Sequence, residues 1–270
     1  MATRRRMVTY QDSSAPCDFH PLQKGQLLMT NLSKSAAPAP APNLADLITQ
    51  PRAFFEALGR LPAKPSRYLW LVALATLVGG ISTTVLARHL LSAQSSALSG
   101  GLAISPLFSY GAAAFATTFI SVLLWLLLWG LGTLGAGKEG RAAEVYGAVF
   151  FPSLIWAILL LPLGALFAPE ITVAAPNLTG LTGLELQKAL QPYTQALQAS
   201  FNGLVISKIS TYVGYAIYLW QFILAFIGFR VLTGNQTKAW RGVLFPAALL
   251  AVLVLASYLV SKAVTSLVAG

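Results

Sequence analysis

The chain is short of charge. Of its 270 residues only 10% are Asp, Glu, Lys or Arg, where a soluble domain carries roughly a quarter. Cysteine is nearly missing: Cys17 stands alone in a polar amino-terminal stretch, which excludes an intramolecular disulfide and a cysteine metal cluster. The two histidines, His20 in that stretch and His89 at the end of the first apolar run, lie too far apart to make a metal site. Acid is scarce as well. The eight carboxylates are Asp12, Asp18, Asp46, Glu56, Glu139, Glu144, Glu170 and Glu185. None sits centrally in an apolar run, the depth at which proton-coupled carriers place an acid. No H-E-x-x-H, G-x-S-x-G or phosphate-loop pattern occurs. These absences point away from an enzyme and leave no catalytic, cofactor-binding or metal-binding residue to nominate.

Apolar residues are abundant instead, at 56% with a mean hydropathy of +0.68. They gather in five runs: Tyr68 to Leu91, Leu107 to Leu134, Tyr146 to Ala168, Val213 to Leu232 and Val243 to Val260. Each is about the 17–25 residues that cross a hydrocarbon core as a helix, the second being longer and so tilted. Lipid offers the backbone no hydrogen bonds, so each run must be helical. The expected fold is all-α: a polytopic membrane protein built as a bundle of five transmembrane helices.

The net charge is +10. A nucleic-acid surface would interleave basic and aromatic residues on one soluble face, whereas here the basic residues flank the apolar runs, so no nucleic-acid partner is expected. Nine precede the first run, two (Lys138 and Arg141) follow the second, and three (Arg230, Lys238 and Arg241) follow the fourth. The opposite side has only Arg88, Lys188, Lys208 and Lys262. This asymmetry places the amino terminus inside and the carboxyl terminus outside.

Residues 1–43 read as a disordered basic and Pro/Ala-rich tail, with residues 44–265 forming the membrane domain. The tail lacks the apolar core of a signal peptide, and "SKSAAPAPAP" reads as an extended linker. Met29 opens "MTNLSKSAAPAPAP", which would itself serve as a translation start.

The stretch "DLITQPRAFFEALGRLPAKPSRYLW", Asp46 to Trp70, joins the tail to the first run. Asn43 can cap a short helix, and Pro51 suits the first turn of a second. Phe54, Phe55 and Leu58 give that second helix an apolar face. The expectation is an interfacial entry helix, with Phe54 and Phe55 in the headgroup boundary and Arg52, Arg60, Lys64 and Arg67 on anionic lipid at the inner face.

Between the third and fourth runs, Leu186, Leu190, Tyr193, Leu197, Phe201 and Leu204 recur at helical spacing opposite Gln187, Gln191, Gln195 and Gln198. This is an amphipathic outer-loop helix that lies on the membrane or packs over the bundle, with Pro192 bending or dividing it. Gly79, Gly80, Gly130, Gly132, Gly135, Gly214 and Gly228 read as close-packing positions. Pro152 and Pro162 read as kinks in the third helix, beside which a cavity can open. Trp125, Trp129, Trp156 and Trp220 read as lipid-facing or packing residues, and Arg230 as a cation reaching for phosphate.

"LITQPRAFFEALGRLPAKPSRYLWLVALATLVGGI" resembles the start of the Yip1 domain, especially its bacterial members, in which P-R-x-F-F, a spacer, a second proline and a long apolar helix follow in order. "GAGKEGRAAEVYGAVFFPSLIW" looks like the family's glycine-rich inner loop, and "IYLWQFILAFIGFRVLTGNQTKAWRGVLFPAALL" like its final hairpin. The resemblance spans about residues 44–260. It implies a small non-enzymatic membrane scaffold or adaptor that organises lipids or membrane partners, itself included, here in a bacterial cytoplasmic membrane. Eukaryotic relatives act in vesicle traffic with small GTPases; the bacterial look of the entry motif does not carry GTPase binding over. The alternative reading is a small permease, channel or lipid-moving protein with a cavity near the third helix.

Overall fold

The computed structural model describes residues 42–98, 105–174, 176, 181 and 183–269. The expected tail therefore lies outside the described residues, apart from Pro42 and Asn43, as do Cys17 and His20.

Two short helices open the fold. In α1 (Leu44–Thr49) the Asn43 side chain accepts the Ala45 amide at 3.0 Å and Asp46 occupies the first turn, so both features favour the positive helix end. Pro51 then starts α2 (Pro51–Arg60), where its missing N–H costs nothing. The bundle follows as α3 (Leu69–Leu86), α4 (Arg88–Leu98), α5 (Pro106–Ala136), α6 (Ala142–Ala148) and α7 (Phe151–Phe167). It closes with α8 (Gly183–Gly203), α9 (Val205–Thr233) and α10 (Gln236–Ala269).

Five stretches are long and apolar enough to cross a membrane: Leu69–Leu86, Leu107–Ala136, Lys138–Phe167, Val205–Thr233 and Gln236–Val260. They mark an all-helical integral membrane protein in contact with a lipid bilayer. Large side chains such as Phe115, Ile120, Val254 and Tyr258 stand exposed along α5 and α10, as expected where the solvent is hydrocarbon.

α3 packs against both α5 and α7, while α10 lies against α5 and α9, and α2 rests on α9. Small residues make these approaches close. Gly80 faces Thr118 and the Ala114 carbonyl, and the Thr118 hydroxyl donates to the Thr76 carbonyl at 3.2 Å. At the carboxyl end of α3, Gly164 of α7 lies against the Leu86 backbone, and the Arg88 guanidinium donates to the carbonyls of Gly164, Ala165 and Ala168. A cation thus closes the carbonyl end of α7. Where α5 crosses α10, Gly135 meets the Arg241 backbone, and the buried Tyr146 hydroxyl donates to the Gly242 carbonyl at 2.8 Å.

Several expectations are corrected. The third span is not one kinked helix: α6 ends before a turn at Val149 and Phe150, and Pro152 lies in the first turn of α7. Pro152 has no N–H for the Ala148 carbonyl and its ring crowds it, so the helix stops there. Pro162 sits inside a continuous α7, and Pro192 inside a continuous α8. The stripe of α8 packs over the bundle: Tyr193 and Leu197 are buried against Leu90 of α4, and Tyr193 donates to the Ala93 carbonyl. The glycines divide. A methyl on Gly80, Gly132, Gly135 or Gly228 would collide with a neighbour, but one on Gly79, Gly130 or Gly214 would meet nothing within 4 Å.

This division is testable. A Cβ on Gly135 would stand 2.7 Å from the Gly242 amide nitrogen, in backbone that cannot turn aside. Gly135→Ala should lower the thermal midpoint in detergent. Gly130→Ala should leave it unchanged or raise it, since alanine favours helix by about 1 kcal/mol over glycine. Equal losses in both would contradict the crossing described here.

Candidate functional site

Two places gather polar groups. The first is a clasp at the end of the bundle that carries α2. Glycine-rich chain turns sharply after α5: Gly137 has φ 76°, and Gly140 is pressed between Ala136 and Phe229. Arg141 adopts left-handed backbone at φ 49° and ψ 47°, which is uncommon for a residue with a Cβ. The turn starts α6 so that Glu144, 1% exposed, meets the linker between α2 and α3.

Glu144 accepts four hydrogen bonds there. The Lys64 amide donates at 2.8 Å, Arg67 Nη1 at 2.8 Å and Arg141 Nε at 2.9 Å, with Arg141 Nη2 completing the set. The two guanidinium groups spend their other donors on carbonyls. Arg141 reaches Leu58 at 2.8 Å and Leu61 at 3.0 Å, both at the carbonyl end of α2, and Arg67 reaches Pro62 at 2.8 Å. A buried carboxylate, two cations and the open end of a helix satisfy one another.

The clasp changes the expected roles of the entry residues. Phe54 and Phe55 do not face lipid; they are 1% and 0% exposed within the protein core. Their rings meet edge to face at 5.2 Å, and the Phe55 ring fills the notch at Gly228, where a Cβ would come within 2.8 Å of it. With the linker pulled down by Glu144, α2 seats its apolar face on α9, and protein contact replaces lipid contact. Arg67 is likewise a clasp residue. Arg52, Arg60 and Lys64 present exposed side chains, with Arg52 bonded to Glu56 at 2.9 Å. Arg230 is exposed nearby, in a hollow shared with Arg52 and Glu56. Tyr68, next to Arg67, is packed against Phe54, and burial pushes its hydroxyl up to about 12.

The second place is a cavity of about 340 Å³ among α3, α5, α7 and α9. Its walls carry Thr76, Ser82 and Thr83 from α3, Thr117 and Ser121 from α5, Ser153 and Trp156 from α7, and Ser210, Thr211, Tyr215 and Tyr218 from α9. Gln221 donates to the Ser153 hydroxyl at 2.6 Å. This space lies beside the third span, but Pro152 and Pro162 are not among its lining residues, and Trp156 faces it. Among the described residues, no group of three His, Cys, Asp or Glu gathers where a metal ion could sit.

No family model, curated protein or solved structure matches the chain. The geometry of these two places therefore carries the functional argument.

Breaking the clasp from its centre should be costly. Glu144→Ala leaves two arginines facing each other without their carboxylate, and loss of one partner from a buried pair typically costs about 3–5 kcal/mol. Its thermal midpoint should fall sharply in detergent. Arg52→Ala removes an exposed pair worth less than about 1 kcal/mol and should shift the midpoint little.

Proposed function

We propose that the protein is a non-enzymatic integral membrane scaffold of the Yip1 type. The supporting observation is how its charge is used. Glu144 is the one buried carboxylate among the described residues, and it is consumed in holding α2 and its linker to the bundle. That use favours a rigid platform over a reaction centre. Exposed Arg52, Arg60 and Lys64 leave a basic rim suited to anionic lipid, and the apolar faces of α5 and α10 suit neighbouring membrane proteins or a second copy. In this reading the membrane is a bacterial cytoplasmic one, with the clasp inside and α8 outside, as the basic-residue asymmetry favours.

The test is photo-cross-linking in native membranes from positions Leu127 and Val254, followed by identification of the adducts. Discrete protein adducts, with a second copy or with other membrane proteins, are expected. Lipid adducts alone would overturn the scaffold reading.

The cavity favours a second reading, a small permease, channel or lipid-moving protein. Reconstituted liposomes separate the two. A scaffold should pass no ion, solute or labelled lipid above the level of empty vesicles, while flux that is lost on Pro152→Ala would favour transport.

A further inference from the structure

The cavity has a composition that close packing does not explain. On α3, Thr76, Gly79, Ser82 and Thr83 share one helical face; on α9, Ser210, Thr211, Gly214 and Tyr215 do the same. Glycine is the poorest helix former after proline, and in membrane bundles it is usually kept where backbones touch. Gly79 and Gly214 have open space where a side chain would stand: an added Cβ would meet nothing within 4 Å beyond the helix's own backbone. Both face the cavity, so each keeps a volume open rather than drawing two helices together.

Several of the wall hydroxyls bond back to their own helices. Thr83 donates to the carbonyls of Gly79 and Gly80, Thr117 to Ala113, Ser121 to Thr117 and Thr211 to Ser207. Their protons are spent on their own helices, so towards the cavity their oxygens can only accept. A molecule that satisfies them must donate. No Asp, Glu, Lys, Arg or His lines the space, and a charge placed there would be expensive without a partner. An uncharged alcohol fits as that donor. The volume lies within the roughly 300–1,000 Å³ of ordinary ligand sites. The apolar remainder of the wall, including Leu124, Phe150, Ala157 and Leu160, matches a hydrocarbon chain. Tyr215 and Tyr218, on the α9 side, are at least half exposed, at 66% and 50%, in a helix long and apolar enough to stand in lipid.

We propose that this cavity is a binding site for an uncharged, hydroxyl-bearing lipid of the diacylglycerol class, entering from the bilayer beside α9. The hydroxyl donates to the Thr and Ser oxygens, and part of an acyl chain fills the space kept by Gly79 and Gly214. This goes beyond the scaffold reading and does not rest on it, since a site of this kind can serve a scaffold or a transporter.

The test uses the full chain in phosphatidylcholine liposomes with a trace of diacylglycerol that carries a diazirine in one acyl chain. After illumination, adducts are located by peptide mass spectrometry. Cavity residues such as Trp156 and Tyr215 should be labelled, and excess unlabelled diacylglycerol should reduce that labelling about tenfold. Its O-acetyl ester, which lacks the donor, and added phosphatidylcholine should compete far less. Gly79→Leu with Gly214→Leu fills the space and should abolish cavity adducts. Adducts on outward-facing Phe115 and Tyr258 should persist and report that the bundle is intact.

Labelling spread evenly over the outer faces, or equal competition by all three lipids, would overturn the proposal. So would full cavity labelling in the filled variant. Should that variant not fold, the competition series on the unaltered protein still decides.

Discussion

The carboxylate of Glu144 is the constraint on which the rest of the arrangement depends. It is fully buried, and it binds the linker amide of Lys64 and the side chains of Arg67 and Arg141 at once. Removing such a group from water is costly, and a hydrophobic replacement for the whole cluster could be as stable. What the cluster supplies is geometry. Arg141 reads the last carbonyls of α2 while Glu144 holds the linker that leads into α3, so the angle between these elements and α6 is set by directional bonds. Apolar contact alone would let α2 slide on α9. With the clasp closed, Phe55 has one place to go, the notch at Gly228.

The bundle is then held by a second kind of interaction that lipid makes necessary. Apolar side chains gain little by leaving hydrocarbon for one another, so small residues and interhelical hydrogen bonds draw the helices together. Gly80 with Thr118, Gly164 with Leu86, and Gly135 with Arg241 are the close points. The bonds from Thr118 to Thr76, Arg88 to Gly164 and Tyr146 to Gly242 lie beside them. The same residue types open the cavity. Where α3 and α9 carry Gly79 and Gly214 with nothing opposite, the saving in volume becomes space, and the neighbouring hydroxyls become its polar wall.

These two regions suggest a division within one molecule. The clasped end is ionic and closed by its own side chains, which fits the proposed platform. The cavity is uncharged and set among membrane helices, which suits a ligand drawn from the bilayer. α7 connects them: the break at Pro152 ends α6, which carries Glu144, and begins the helix that brings Ser153 and Trp156 to the cavity.

Composition and apolar patterning alone set the class of the protein and its five membrane-length stretches. Five apolar runs could be read because a helix in hydrocarbon must be about 20 apolar residues long, and the caps at Asn43 and Pro51 could be read because they are local backbone requirements. The stripe of α8 was equally legible from its period. Tertiary structure decided the partners. Arg67 and Arg141 look like any basic residues beside a membrane, and Glu144 like any loop acid. Their meeting depends on pairs nearly 80 positions apart, brought together by a left-handed turn at Arg141 that no local rule demands. The same holds for Phe54 and Phe55: an apolar helix face is satisfied equally by acyl chains and by protein, and it is the packing of α2 on α9, with Phe55 at Gly228, that selects protein. Gly79 and Gly80 make the point most sharply. They are adjacent and chemically identical, yet one is pressed against α5 and the other faces open space, because successive helix positions turn about 100° apart and only the neighbouring helices decide what each direction meets.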